Sequence, residues 1–474
     1  MTVLVIDVGS TNAKAGIVRD GTVVAEAHSA VETMSNVAGI DGAVEQDADQ
    51  WWSAVSSAIT SLPSADRAMV DVVAATGQMQ DLLCIGADGA PVRPVILYSD
   101  TRAAAEAEQL TVELNGWEQA VGRPPDATSV AAKWRWLQQH EPDTVNATDA
   151  VIFGGGAEVV RRLTGAALCE HTTASTTGLY AAEQRTWWRP AIDHERLPAS
   201  QLVDGAPQPI RANVAAELGV PARATVVLAP GDAVATTLGI VGTAPDRPYA
   251  YLGTSGWVAA STTVMPEGGA FGLPGLSPDH WVAAAPMIAA GAVVDWAREV
   301  LLGGIDHDEL EQLAGGVCAA ESGVLALPHL DGQRLPAADS TARAALVGMS
   351  RSTSRAVIAA AVLEGVAHAL RQLTALVAPE GDELVVCGGG SRSNAWCQSI
   401  ADVTGSTVTR ADDEHAALLG AAVAAGAAVR PPTVSGSFAP DPFRHATHQS
   451  IAPTFDRLGP ALQPITSALQ SVRR

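Results

Sequence analysis

Residues 7–14 read Asp-Val-Gly-Ser-Thr-Asn-Ala-Lys. An apolar strand runs into the carboxylate of Asp7, Gly9 permits close backbone approach, and Ser10 and Thr11 add hydroxyls to a turn already rich in N–H groups. Such a nest suits phosphate oxygens. Asp7 suits Mg²⁺ with its waters, and Lys14 on the next strand adds a point charge. The plain alternative is a hairpin that uses Gly9 for its turn. A second turn, Leu252-Gly253-Thr254-Ser255-Gly256, has the same character. By itself it is a common glycine turn, but two such turns facing one another can hold a triphosphate from both sides. In a third segment, Val385-Val386-Cys387 meets Gly388-Gly389-Gly390 and then Ser391-Arg392-Ser393-Asn394. Three glycines allow flat contact with a planar base or ribose, and Asn394 can hydrogen-bond either. The alternative is a tight strand-to-helix turn capped by Ser391. A Rossmann fingerprint is excluded because Ser393 holds the sixth position, and a Walker A motif because the chain has no Gly-Lys step. Finally, Asp232 follows Pro230-Gly231 where a strand meets a helix. It reads as an N-cap, and the helix terminus also favours the ionised carboxylate that a hydroxyl's proton needs.

These segments need elements to hold them. Residues 3–8, 13–18 and 22–27 predict an antiparallel meander, with Asp20-Gly21 as a two-residue hairpin turn. Strands are expected at 70–75, 94–98 and 224–229, and helices at 48–61, 129–139 and 233–240. The turn at 253–256 lies inside a strand–turn–strand at 249–263, so each half opens with strands joined by a hydroxyl-rich turn, a weak internal duplication. Helices follow at 291–302, 354–376, 394–404 and 415–428, with a strand at 383–387. Residues 430–474, rich in Pro and Ser, are expected as a surface-hugging tail. The pattern predicts an α/β protein of two domains, 1–240 and 241–474, with a boundary near 241–248.

A chain of 474 residues exceeds the roughly 250–300 at which single cores stop growing, and 47% hydrophobic residues supply two. Lys plus Arg total 29 against 51 Asp plus Glu, a net charge of −22. That surface repels nucleic acid and anionic membranes. The five cysteines form no C-x-x-C pair, and the sparse, odd count suits a reducing cytoplasm. The opening MTVLVIDVGS has no basic n-region, so no signal peptide is expected, and the apolar run at 416–429 is too short to span a bilayer. Lys14 and Lys133 are the chain's two lysines, and Lys133 is expected to pair a nearby acid. His171, His329 and His368 lack ligand-like spacing and read as structural.

The order Asp-x-Gly-Ser-Thr (7–11), Gly-Gln-Met (77–79), Ser-Asp-x-Arg (99–102), Leu-Thr-Gly (163–165), Gly-Asp (231–232), Gly-Thr-Ser-Gly (253–256) and Gly-Gly-Gly (388–390) resembles the FGGY carbohydrate kinases from Asp7 to about Gly426. The resemblance implies two ribonuclease-H-like, actin-like ATPase domains with ATP and Mg²⁺ between them. It implies phosphate or metal contacts from Asp7, Gly9, Ser10, Thr11, Lys14, Gly253, Thr254 and Ser255. Adenosine contacts would come from Gly388, Gly389, Gly390 and Asn394. Asp232 is implied as catalytic base and, with Asp7, as metal-facing carboxylate. Gln78, Met79, Gln80, Asp81, Asp100 and Arg102 would line the sugar side, and Glu170 falls in a structural stretch.

Departures lie on the sugar side: Gln80 and Asp81 follow Met79 where xylulose kinases commonly carry His-Gly, Tyr98 stands for Trp, and Gln333 for Glu. The expected substrate is a small neutral sugar or polyol, a ketopentose such as D-xylulose first. Glycerol, erythritol or gluconate is the alternative substrate, and an actin-like chaperone or sensor ATPase the alternative class. A homodimer is the candidate assembly.

Overall fold

A computed structural model of the chain describes residues 1–122, 125–245, 247–378, 381–412 and 414–472. They form two compact units: 1–242 with 273–281 and 415–431, and 243–272 with 282–414 and 432–474.

The first unit is built around Val3–Val8, whose apolar residues are buried on both faces, as expected of a central strand. It pairs antiparallel with Asn12–Arg19, which pairs in turn with Thr22–Ala30. The hairpin turn is the expected one: Asp20 and Gly21 take φ of 52° and 81°, the two positive values a type I′ turn requires. On its other side Val3–Val8 pairs parallel with Val72–Gly77, and that strand pairs with Thr225–Leu228. Helix Ala48–Ser61 is capped by Asp47, which accepts from Asp49 N at 2.8 Å. Its Trp51, Ala54, Val55, Ala58 and Ile59 fall on one stripe and bury against this sheet. A smaller sheet, in the order Met34–Ser35, Val44–Gln46, Val95–Ile96, Met79–Ile85, Ala150–Gly154, carries Met79, Gln80 and Asp81.

The second unit repeats the plan. Tyr249–Leu252 pairs antiparallel with Gly256–Thr262, with Trp281–Met287 next in the sheet. On the other side it pairs parallel with Glu383–Cys387, followed by Thr407–Ala411. With the edge strands Gln208–Pro209, Phe271–Pro274 and Val434–Phe438 set aside, each sheet reads 3-2-1-4-5 in its own chain order. The duplication inferred from two small turns thus extends to whole sheets of ribonuclease-H-like order. Arg355–Val377 is long and apolar enough by composition to cross a membrane; it is the core helix of this unit, with Leu363, Val366 and Leu370 buried.

Two expectations need correction. The sequence assigns everything after 241–248 to the second half, yet 415–431 packs with the first unit. Helix Ala416–Ala424 lies against Asp232–Ile240 with backbones in contact: a methyl on Gly420 would fall 1.7 Å from Ala235 O, and one on Gly239 would fall 1.9 Å from Ala416 O. Glycine at both positions is what permits the crossing. The predicted tail is a strand followed by helix Pro442–Ser471, despite Pro453, Pro460 and Pro464 inside it. Tertiary docking overrides propensity there. Asp441 caps the start, Phe455 is 2% exposed and stacks on His368 at 4.7 Å, and His448 is buried.

Candidate active site

Asp7 sits at the sheet centre, directly opposite Lys14 across the hairpin. Burial pushes its carboxyl above the usual range, and the Lys14 charge pulls the other way. Lys14 itself is exposed. The turn beyond is closed by Gly9 N donating to Asn12 O at 3.0 Å and anchored from outside. Gln46 Nε2 donates to Ser10 O at 2.6 Å and to Thr33 Oγ1 at 2.7 Å, and Thr33 Oγ1 donates to Ser10 O at 3.1 Å. Trp51 Nε1 and Gln78 Nε2 both donate to Gln46 Oε1. One buried glutamine therefore joins the first turn to Gln78.

Asp232 opens its helix as expected, with Gly231 rather than Asp232 in the capping position. Burial first, then the nearby Asp7 charge, raise its carboxyl to about 7, against a hydrogen bond from Ala233 N. The turn that presents it is held on both sides. Thr76 Oγ1 donates to Pro230 O at 2.6 Å, and Gly231 N donates to Glu170 Oε1 at 3.1 Å. Glu170 also accepts from Thr172 N (2.5 Å) and Thr173 N (2.8 Å), capping helix His171–Thr176. A side chain at Gly231 would collide with Met79, whose Sδ lies 2.2 Å from the position of a Cβ.

Gln78 and Asp81 are buried, and each keeps an oxygen, Oε1 and Oδ2 respectively, with no partner among the described residues. The other Asp81 oxygen accepts from Tyr98 N at 2.9 Å. Burial drives Asp81 upward, and Asp232 adds to the rise. Lys133, wholly buried, donates to Leu97 O at 2.7 Å and Gln80 O at 3.2 Å; burial drives it downward against the pull of Asp81 and Asp100. Tyr98 closes the group. Its hydroxyl hydrogen-bonds with Ser10, and burial, Asp232 and Asp81 raise its pKa.

Gln80, Asp100 and Arg102, expected on the sugar side, bond to protein. Gln80 has φ 66° and its Nε2 donates to Thr128 O and Oγ1, both at 2.9 Å, so its side chain anchors a loop. Asp100 and Arg102 form a buried ion pair at 2.7 Å that also includes Glu45, with Val44 N donating to Asp100 Oδ2. Arg102 lies over the Trp136 ring. Each of these charged groups has a protein partner, so the expected contact of Asp100 and Arg102 with a sugar gains no support here.

In the second unit Thr254 and Ser255 are exposed. The carbonyls of Gly253 and Thr254 accept from N–H groups of residues 290–292. Gly388 takes φ 86° and approaches Leu252, Gly389 opens on free space, and Gly390 faces Trp396. The helix cap is Ser393, not Ser391: Ser393 Oγ accepts from Trp396 N at 3.0 Å, whereas Ser391 Oγ donates to Gly388 O. Asn394 Oδ1 accepts from Arg410 at 2.7 Å.

Sequence reasoning missed Gln46 and Thr76 and read Glu170 as structural. No local pattern marks a lone Gln or Thr, whose work depends on partners 36 and 154 residues away.

Residues 2–239 match the N-terminal domain, and residues 249–429 the C-terminal domain, of the FGGY family of carbohydrate kinases. A xylulose kinase of Streptomyces rubiginosus is 30% identical over 432 residues, covering 88% of this chain and 85% of that one. A xylulose kinase of Streptomyces coelicolor is 31% identical, covering 80% and 79%. In fold, the chain superposes on the xylulose kinase of Rhodospirillum rubrum with a TM-score of 0.90 at 24% identity, covering 98% of this chain and 100% of that one. The chain belongs to the FGGY family of carbohydrate kinases and is a phosphotransferase that uses ATP and acts on a sugar hydroxyl.

Proposed function

We propose that the sugar is a neutral ketose, D-xylulose first, and that Asp232 accepts the proton of the attacking hydroxyl. The carrying observation is the cluster in the first unit: Asp232 beside Asp81, with two buried, unpartnered acceptors at Gln78 Oε1 and Asp81 Oδ2. A polyhydroxylated ligand brings the donors that both oxygens lack. An acid sugar would bring an anion into a group of carboxyls whose own charge burial already opposes. The names of the relatives support the ketopentose.

In this reading the turns Gly9–Thr11 and Gly253–Ser255 donate to phosphate oxygens, with Lys14 as point charge, and Gly388–Gly390 with Asn394 receive the adenosine. Gln78, Met79, Asp81 and Tyr98 position the sugar; Gln80, Asp100 and Arg102 hold the surrounding loops. Asp7 and Asp232 fit Mg²⁺ as hard oxygen donors whose mutual repulsion a dication relieves, and when bound it supplies charge neutralisation at the transferring phosphoryl group. Asp232 holds the proton at its carboxylate as the hydroxyl attacks, and Glu170 and Thr76 hold Asp232 in place.

An ADP-release assay over D-xylulose, D-ribulose, glycerol, erythritol and gluconate tests this. Expected is the highest kcat/KM with a ketopentose and little ADP without an alcohol. Efficient gluconate turnover overturns the neutral-sugar reading, and near-normal turnover by Asp232→Asn overturns the base assignment.

A further inference from the structure

Apart from the candidate active site, the second unit buries three side chains of different chemistry together. Cys318 precedes a short 3₁₀ turn at Ala320–Ser322, Glu364 lies in the core helix Arg355–Val377, and His448 in the C-terminal helix. They are 6%, 3% and 1% exposed, and one ligand atom from each lies within 4.8 Å of the other two. We propose that Cys318, Glu364 and His448 form a site for a borderline transition-metal ion, Zn²⁺ foremost, that fastens the C-terminal helix to the core of the second unit.

Four observations support the assignment. Cys318 Sγ and His448 Nε2 are 3.7 Å apart. Two ligands on a tetrahedral zinc, at about 2.3 Å for sulfur and about 2.05 Å for nitrogen, are about 3.6 Å apart. The other ring nitrogen, His448 Nδ1, is 3.3 Å from His368 Nε2. A proton shared there leaves the Nε2 lone pair aimed at the sulfur, the outer-sphere arrangement that metal-bound histidines use. Each Glu364 oxygen accepts one backbone N–H, from Ala319 at 2.7 Å and Ala320 at 3.1 Å, so each keeps a second lone pair. A cavity of about 20 Å³ borders all three residues, room for one water as fourth ligand. Arg444, at its rim, donates to Gly316 O and pairs with Asp402. It faces no net charge, because one thiolate and one carboxylate balance a dication. On binding, the thiol proton of Cys318 leaves to solvent and a Zn–S bond forms.

The competing arrangement is a metal-free network in which the thiol donates to His448 or Glu364. The two are separated by metal analysis of the full chain, expressed with added zinc and desalted without ATP or magnesium. Expected is about one zinc per chain for the parent and less than about a fifth of that for Cys318→Ser. Cobalt added to zinc-free parent protein should give a near-ultraviolet thiolate-to-metal band, absent in Cys318→Ser, and this reading of the parent does not depend on the variant folding. A chelator should lower the parent's Tm. No zinc and no thiolate band in the parent overturns the proposal. Equal zinc in parent and Cys318→Ser overturns it too, because the metal is then held by other groups.

Discussion

Replacing Asp232 by Asn should damage catalysis and improve stability, and the second effect should depend on pH. An isolated aspartate titrates at 3.8, whereas Asp232 titrates near 7 because burial and Asp7 oppose its charge. Below 3.8 the folded and unfolded chains both carry a neutral carboxyl and nothing is lost. As pH rises towards 7 the unfolded chain ionises first, so stability falls. Three pKa units at 1.36 kcal/mol each set a ceiling of about 4 kcal/mol, and partial solvent access reduces this to about 2 kcal/mol. Asparagine keeps an acceptor for Ala233 N and carries no charge. At pH 8.5 the variant should melt about 4–8 °C above the parent, shrinking to about 1 °C at pH 4.5. Its kcat should fall by about 10²–10⁴-fold with the KM for ATP little changed. Scanning calorimetry at the two pH values and a coupled ADP assay read both. Near-normal turnover refutes the base, and a variant less stable than the parent at pH 8.5 refutes the account of its burial.

The parent's kcat/KM for its sugar should fall as pH drops through about 7, the Asp232 value, in a pH–rate profile; a limb near 4 would show that burial does not set the base. Glu170→Gln puts an NH₂ where three backbone N–H groups now donate, and should cost about 1–3 kcal/mol in calorimetry and roughly tenfold in kcat, with ATP affinity measured by titration unchanged. Asp81→Asn should raise the sugar KM about tenfold while leaving the ATP KM alone; an unchanged sugar KM would remove Asp81 from the sugar site. Gly420→Val should lower Tm sharply or abolish soluble expression, because no rotamer relieves a Cβ placed 1.7 Å from Ala235 O.

Local pattern accounts for most of the elements and for little of what orients the site. The meander, its Asp20-Gly21 turn and the helix opening at Asp232 follow from alternation, turn chemistry and capping, which act within a few residues. The sugar-side assignments for Gln80, Asp100 and Arg102 were less legible. A charged pair two residues apart looks the same whether it faces a ligand or, as here, a buried Glu45 contributed by a distant strand. The helix through three prolines was illegible for the opposite reason: its docking through Phe455 and His448 involves partners far away in sequence. Ligand sets drawn from residues 318, 364 and 448 likewise have no spacing to recognise.

The two lysines have different fates. Lys133 is sealed with its ammonium between two carbonyls, and Lys14 stands in solvent opposite Asp7. Of the two lysines, an amine-directed reagent therefore meets one in the folded chain, Lys14, just past the turn at Gly9–Asn12. On the phosphate role proposed for that turn, a fluorophore or mass tag placed on Lys14 by ordinary acylation reports on nucleotide binding. Protection of Lys14 by added nucleotide, the outcome that role predicts, can be followed by intact mass with no engineered cysteine.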